Sequence, residues 1–483
     1  MEDKEASNSK ETPTKKARRR LMHQIKVIEN FFPDAIQYFL PKSGFCHKIL
    51  DFYEDSFEDL PSIKERLCEV MDKSRLPWSR VTAYGADNAS VNFGVNNSVF
   101  QKLKSEENND VIAAHCNDHI FHNCAKNALK VMPVDVENIV MKVFAEFSCS
   151  AKKREDLKEC FDFFESEYRE VMLHFPTRWL SLFTALDSML SSWGPFKRYF
   201  IERGSDNCPT ALWAILSDQE NEISGEANPT YNELYLYFTH NFMASFQEII
   251  SLVEKHTTAA FNLHNIMVKF HDTISKKIND KYFGIKVHVA LKKGHLPDHE
   301  AEKFTKNATN AYHRALAYIE KWYPFENQNY KTFSCLNLKC GRLPTLDQLL
   351  ELWSISPWKQ QTPPEQIYDE LAALQSVFPS LKLEGNSIEM WCKFFQKEEA
   401  PNLLKIVQFV CSVPLSNAFV ERIFSVMVNV WTDERNRLAV NTVKSELGIF
   451  FNISSSCTEF KDAISTNKPL LKAVSSNAKF IKK

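Results

Sequence analysis

The residues of this chain that could do chemistry by type and spacing crowd into the stretch 115–124. His115, Cys116, His119, His122 and Cys124 all lie there. Imidazole and thiolate are common zinc donors, and on a helix Cys116, His119 and His122 or Asn123 share one face. Structural zinc takes four ligands, usually from two separated elements, whereas one element supplies all of these. The stretch reads either as a zinc site or as core side chains. Upstream, Asp87-Asn88-Ala89-Ser90 has the composition of a turn and helix start, where short polar side chains accept backbone N–H groups. Two basic groupings could meet an anion. Lys15, Lys16, Arg18, Arg19 and Arg20 end a polar N-terminal stretch. They match a nuclear import signal or a solvated tail equally well. Lys269, Lys276, Lys277, Lys281, Lys286, Lys292 and Lys293 stand against only Asp272 and Asp280. That run is either a solvated face or a site of weak, salt-sensitive DNA contact. The sequence holds no P-loop, no G-x-G-x-x-G, no G-x-S-x-G and no H-E-x-x-H, and no spacing of its 14 His singles out a catalytic triad.

These side chains need elements to position them. Ile36–Leu40 and His47–Tyr53 are rich in strand formers, and Pro41-Lys42-Ser43-Gly44 between them is turn chemistry. Ser62-Ile63-Lys64-Glu65 reads as a capping box. Ile63, Leu67, Val70 and Met71 then mark one helical face. A strand is expected over 78–86, a short helix over 98–104, a strand over 110–115 and a helix over 116–131. That alternation is α/β, with the later strands parallel. From Val134 the apolar spacing is helical, over 135–148, 155–172 and 177–200, the last interrupted at Gly194-Pro195. Residues 205–230 read as a loop with one apolar piece, 211–216. Helices separated by turns follow over 231–395 and again over 400–455. In the last of these, Phe419, Val420, Ile423, Phe424, Met427 and Val428 form a wide apolar stripe. Such a stripe must be buried, in the chain's own core, in a dimer interface or in both.

Composition sets the bounds. With 483 residues, a formal charge of −2, 44% hydrophobic and 25% charged residues, the chain has ordinary globular usage and room for about three domain-sized units. Only 11 glycines occur, which disfavours a Gly-rich all-β protein and suits a helix-rich one. Near-neutral charge excludes a globally polybasic nucleic-acid coat, so any DNA contact must be local. The 12 cysteines are dispersed without C-x-x-C spacing, and the N-terminus is unlike a signal peptide. Both point to a reduced, intracellular protein. No apolar run approaches the length of a membrane span.

Four stretches in order carry a resemblance. They are Tyr84-Gly85-Ala86-Asp87-Asn88-Ala89-Ser90-Val91-Asn92-Phe93-Gly94; Cys116-Asn117-Asp118-His119 with Asn123; Thr177-Arg178-Trp179-Leu180-Ser181-Leu182; and Pro414-Leu415-Ser416-Asn417-Ala418-Phe419-Val420-Glu421-Arg422-Ile423-Phe424-Ser425, continued by Arg435, Arg437 and Leu438. Together they resemble the hAT transposase superfamily over roughly residues 36–453.

The resemblance implies an α/β RNase H-like core interrupted by a large all-helical insertion, helix-rich overall. It divides the chain into a basic tail and linker (1–33), the first part of the core (34–204), the helical insertion (205–398), a C-terminal dimerisation region completing the core (399–455) and a polar tail (456–483). Transposases of this fold use three carboxylates to hold two Mg²⁺ or Mn²⁺ ions. Asp87 stands where the family's second Asp sits and Glu421 where its Glu sits. The first Asp belongs on a strand before Ile36, yet no Asp occurs between Asp3 and Asp34, so the catalytic set is read as vestigial. Cys116 and His119 form a family core motif. Arg178 and Trp179 match the motif implicated in DNA-base stacking, with a core tryptophan as the other reading. Residues 1–45 contain no Cys and one His, so the family's usual N-terminal zinc finger is absent from them. The implied protein is a domesticated or degenerate nuclear transposase derivative. It acts as a homodimer or other protein-interaction scaffold with weak DNA binding and needs no cofactor. Two alternatives stand beside it: an active metal-dependent DNA-cutting transposase, and a SUMO-ligase-like nuclear protein.

Overall fold

The computed structural model describes residues 31–54, 59–174, 180–216, 229–255, 257–294, 296–323, 325–326, 328–381, 385–432, 435, 438–453 and 455–475. Lys15, Lys16, Arg18, Arg19, Arg20, Arg178 and Trp179 lie outside them. The fold is helix-rich with small sheets. Among the described residues, four strands make two separate two-stranded sheets; the first of them runs Phe31–Leu40 without a break before Ile36 and carries Asp34, while residues 21–30 lie outside the described residues.

Strands β1 (Phe31–Leu40) and β2 (Gly44–Glu54) pair as a hairpin. A connection this short can join only antiparallel strands. β1 starts earlier than expected because Pro33 and Asp34, poor strand formers, are carried along by the pairing. Gly44 closes the turn at φ +74°, a left-handed conformation that favours glycine. A Cβ there would also stand 2.9 Å from Ile388 Cγ2. Strands β3 (Ala83–Ala86) and β4 (Ile112–His115) pair in parallel, with Ala83 opposite Ile112 and Ala86 opposite His115. β3 begins later than the sequence suggests. Residues 78–80 form a 3₁₀ turn, and the Asn108 amide donates to the carbonyls of Trp78 and Val81, both at 2.9 Å. A side chain thus satisfies backbone that a strand would have paired.

The chain folds as two compact units. The smaller takes the described residues of 1–37, 46–76 and 418–483, and the larger takes 38–45 and 77–417.

In the smaller unit, the helix Leu60–Lys73 begins one turn earlier than expected. Asp59 caps it by accepting from the Ser62 N–H at 3.0 Å, and Pro61 is tolerated in the first turn. Helices Ala418–Val430, Val440–Asn452, Cys457–Thr466 and Lys468–Ser475 follow. Ile423 and Met427, one turn apart, pack with Val443 and Leu447, also one turn apart, and with Ile49 and Phe52 of β2.

The larger unit is organised around the long helices Tyr231–Val253, Ala260–Asn279 and Asp298–Trp322. Their shared core is aromatic: Phe238, Phe242, Phe246, Phe270, Phe304 and Tyr312 are buried to 1% exposure or less. Thr230 and Glu233 form a capping box on the first of these helices. Glu233, itself buried, also accepts from Trp193 Nε1 at 2.6 Å and pairs with Lys197. The expected break at Gly194-Pro195 is the start of a helix, Trp193–Arg203, because proline fits a first turn whose N–H groups lack intrahelical partners.

Candidate functional site

Asp87 follows β3 directly. Its Oδ1 accepts from the Ala89 N–H at 3.1 Å and from Asn92 Nδ2 at 2.7 Å, and Asn92 Oδ1 accepts from the Tyr84 hydroxyl at 2.9 Å. Asn88 points across to the end of β4. Its Nδ2 donates to the Cys116 carbonyl at 3.1 Å, and its Oδ1 lies 3.0 Å from His115 Nδ1. Burial holds the His115 imidazole below its ordinary pKa, and a neutral ring can donate Nδ1–H to that amide oxygen. Phe93 covers the ring, with centroids 4.2 Å apart.

Cys116 stands just before the helix Asn117–Leu129, without a side-chain bond to its first turn, and is buried. Its Sγ lies 3.3 Å from His119 Nδ1 and accepts from the Asn417 N–H at 3.3 Å. Asn117 grips the Leu415 carbonyl twice, through its backbone N–H at 3.1 Å and its Nδ2 at 2.8 Å. Gly85 lets this segment come close, since a Cβ there would stand 2.6 Å from Pro414 Cγ. Three stretches distant in sequence, 84–92, 115–119 and 414–417, therefore converge in the larger unit at the C-terminal ends of β3 and β4. Ligand sites in parallel sheets commonly lie at such ends. The signal in the sequence was the density of asparagine, whose amides both donate and accept. The partner of each was not readable from spacing.

The other candidates sit as follows. Glu421 lies in the first turn of the helix Ala418–Val430, in the smaller unit, where an acid suits the helix dipole. On the same helix, Ile423 and Met427 are fully buried, while Phe419, Val420 and Phe424 are half-buried. Cys124 donates to the Ala315 carbonyl at 3.4 Å, and burial pushes its thiol pKa well up. Among the described residues, no three His, Cys, Asp or Glu stand together as a group that could hold a metal ion. The Asp87 Oδ1 is already engaged by two local donors, so no step through Mg²⁺ or Mn²⁺ is derived. Of the basic run, Lys269 pairs with Glu248 at 3.0 Å, Lys277 bonds Ser245 Oγ at 2.7 Å, and Lys286 lies over the Tyr237 ring. Lys276, Lys281, Lys292 and Lys293 are exposed.

Residues 370–453 match the family model of the hAT family C-terminal dimerisation region. Over these residues the chain is similar to the dimerisation region of hAT-family transposases. The matched stretch begins in the larger unit at Glu370 and ends in the smaller at Ile453. No curated protein matches the chain. No helix among the described residues is long and apolar enough to cross a membrane.

Glu370 shows what spacing alone concealed. It is buried, and it accepts from the Asn402 N–H at 3.0 Å, the Leu403 N–H at 2.7 Å and Asn402 Nδ2 at 2.7 Å. A carboxylate from another helix thereby caps the helix Pro401–Cys411.

Proposed function

We propose that this protein is a self-associating scaffold derived from a hAT transposase. In this reading the chain keeps an RNase H-like layout, works in the nucleus and no longer cuts DNA. The observation that carries it is an exposed apolar group within the matched dimerisation region. Ile449 (54% exposed), Phe450 (66%) and Ile453 (43%) lie together at the end of the helix Val440–Asn452. Val443 and Leu447 on the same helix are turned inward and fully buried. The exposed group is anchored, because Phe450 meets Phe451 at 4.9 Å between ring centroids and Phe451 meets Phe419 at 5.4 Å. Rigid aromatic anchors standing above a packed core are typical of association surfaces.

Weak DNA affinity, if retained, rests in this reading on Lys276, Lys281, Lys292 and Lys293. Such contact would be non-specific and would fall steeply with salt. The Asp87 geometry, with Oδ1 engaged by the Ala89 N–H and the Asn92 amide, supports a turn residue without catalytic chemistry.

Two measurements test the proposal. Light scattering of the purified chain should give a dimer that falls to monomer when Ile449, Phe450 and Ile453 are changed to serine. Plasmid nicking in Mn²⁺ should be absent. A monomer at micromolar concentration refutes the scaffold, and cleavage abolished by both Asp87→Ala and Glu421→Ala restores the transposase.

A further inference from the structure

The larger unit brings together three side chains that neither spacing nor family resemblance connects. His174 is buried to 2% exposure in the segment after the helix Ala151–Phe163. Its Nδ1 lies 2.7 Å from Ser181 Oγ and its Nε2 lies 3.2 Å from Glu137 Oε1. Ser181 is half-buried at the second position of the helix Leu180–Ser191, and Glu137 is half-buried in the first turn of the helix Val136–Ser148.

The partners set the tautomer. A carboxylate only accepts, so Nε2 carries the proton and donates to Glu137. Nδ1 is then the lone-pair nitrogen, and it accepts from the Ser181 hydroxyl. Burial holds the imidazole below its ordinary pKa against the opposing pull of Glu137, with Lys126 adding to the effect of burial. His174 is therefore neutral at pH 7 and available as a base. This is the order nucleophile, base, orienting carboxylate that activates a serine.

We propose that Ser181, His174 and Glu137 form an acyl-transfer site for small esters. Ser181 Oγ attacks the ester carbonyl carbon as its proton passes to His174 Nδ1. The ester C–O bond then breaks, and the departing alkoxide takes the proton from Nδ1. Water attacks the acyl-serine by the same route, with His174 again accepting and returning a proton, and releases the acid. One ester and one water give one acid and one alcohol. Glu137 is a positioning residue, since it holds the ring without touching the reacting atoms.

The test uses the full chain with a fluorophosphonate probe and with p-nitrophenyl acetate. Peptide mapping should place the probe on Ser181 of the folded wild-type protein. Labelling should rise with pH along a curve displaced to lower pH than an ordinary histidine gives, as the imidazole loses its proton. Ser181→Ala should remove the label, and His174→Gln should slow it at least a hundredfold. Glu137→Gln should slow it about tenfold and shift the pH profile, which a purely structural role would not do. An unlabelled Ser181 in the folded wild-type chain overturns the proposal, as does labelling at an equal rate in a folded His174→Gln variant. Because the decisive readout is on the wild type, misfolding of a variant does not protect the idea.

Discussion

Asn452 holds the backbone of Ile49 as a neighbouring strand would. Its Oδ1 accepts from the Ile49 N–H at 2.8 Å, and its Nδ2 donates to the Ile49 carbonyl at 2.7 Å. Lys48 adds a bond to the Asn452 carbonyl at 2.5 Å. The last residue of a helix in the matched dimerisation region thereby pairs with a hairpin strand almost the whole chain away. Asn452→Ala removes both amide bonds and leaves a half-buried N–H and C=O unpaired, at a cost of about 2 kcal/mol. Asp cannot donate, so Asn452→Asp should recover only part of that loss. Thermal or urea unfolding of the two variants checks this, and equal stability of Asn452→Ala and wild type would contradict it.

Self-association should separate from folding at the exposed end of the same helix. Changing Ile449, Phe450 and Ile453 to serine removes apolar groups that the monomer leaves in water. The melting temperature of the monomer should then move little, while the dimer dissociates. Sedimentation velocity together with melting at matched concentration distinguishes this from general destabilisation, because a dimer's stability depends on concentration.

Acid should strengthen the smaller unit above about pH 4. Burial, with the nearby Asp51 carboxylate, raises the Asp34 pKa to about 7 against a partial offset from Lys444. Asp34 Oδ2 is buried without a hydrogen-bond partner, and Lys444 pairs with Asp51. The folded form thus holds a proton that the unfolded chain gives up near its ordinary pKa of 3.8. The contribution is fully present below that value and is lost as the pH rises through about 7. Between those limits a shift of this size is worth on the order of 4 kcal/mol. Unfolding free energy measured from pH 5 to 8 should fall in the wild type and fall less in Asp34→Asn. A flat wild-type profile over that range would count against this account.

Glu370 should be among the least replaceable acids in the larger unit. Glu370→Ala strands two backbone N–H groups and the Asn402 amide in a buried setting, which costs about 3 kcal/mol. Gln retains one acceptor oxygen and should cost roughly half as much. Hydrogen exchange at Asn402 and Leu403 reports the loss directly, and unchanged protection in Glu370→Ala would show that the cap is dispensable.

Asp87 makes a sharper contrast. As the acceptor that holds the turn to Ala89 and the Asn92 amide, it should cost about 1 kcal/mol when changed to Ala and less when changed to Asn, which still accepts. As a metal ligand, Asn would fail as badly as Ala. Stability curves with and without Mn²⁺ tell the two apart, since an ion that binds only the folded state stabilises it increasingly as its concentration exceeds Kd.

The sequence by itself determined the helix-rich character, most helical segments, and the residues of the hairpin turn. Each of these follows from chemistry within a few positions: 3.6-residue periodicity, caps, and a Pro-Lys-Ser-Gly turn. It also determined the resemblance, because the order of four motifs is a one-dimensional property. Boundaries slipped where distant side chains took over backbone bonds, as Asn108 does at Trp78 and Val81. Only the tertiary structure decided which polar groups meet. Asn452 with Ile49, Glu370 with Asn402, Asn117 with Leu415, and Glu137 with His174 and Ser181 are pairings across many residues. Their partners are chosen by how helices and strands pack, and an amide or carboxylate in a sequence carries no mark of the donor it will find. Burial decided the rest, since whether Asp34 holds its proton or Ile449 faces water depends on what the fold places over it.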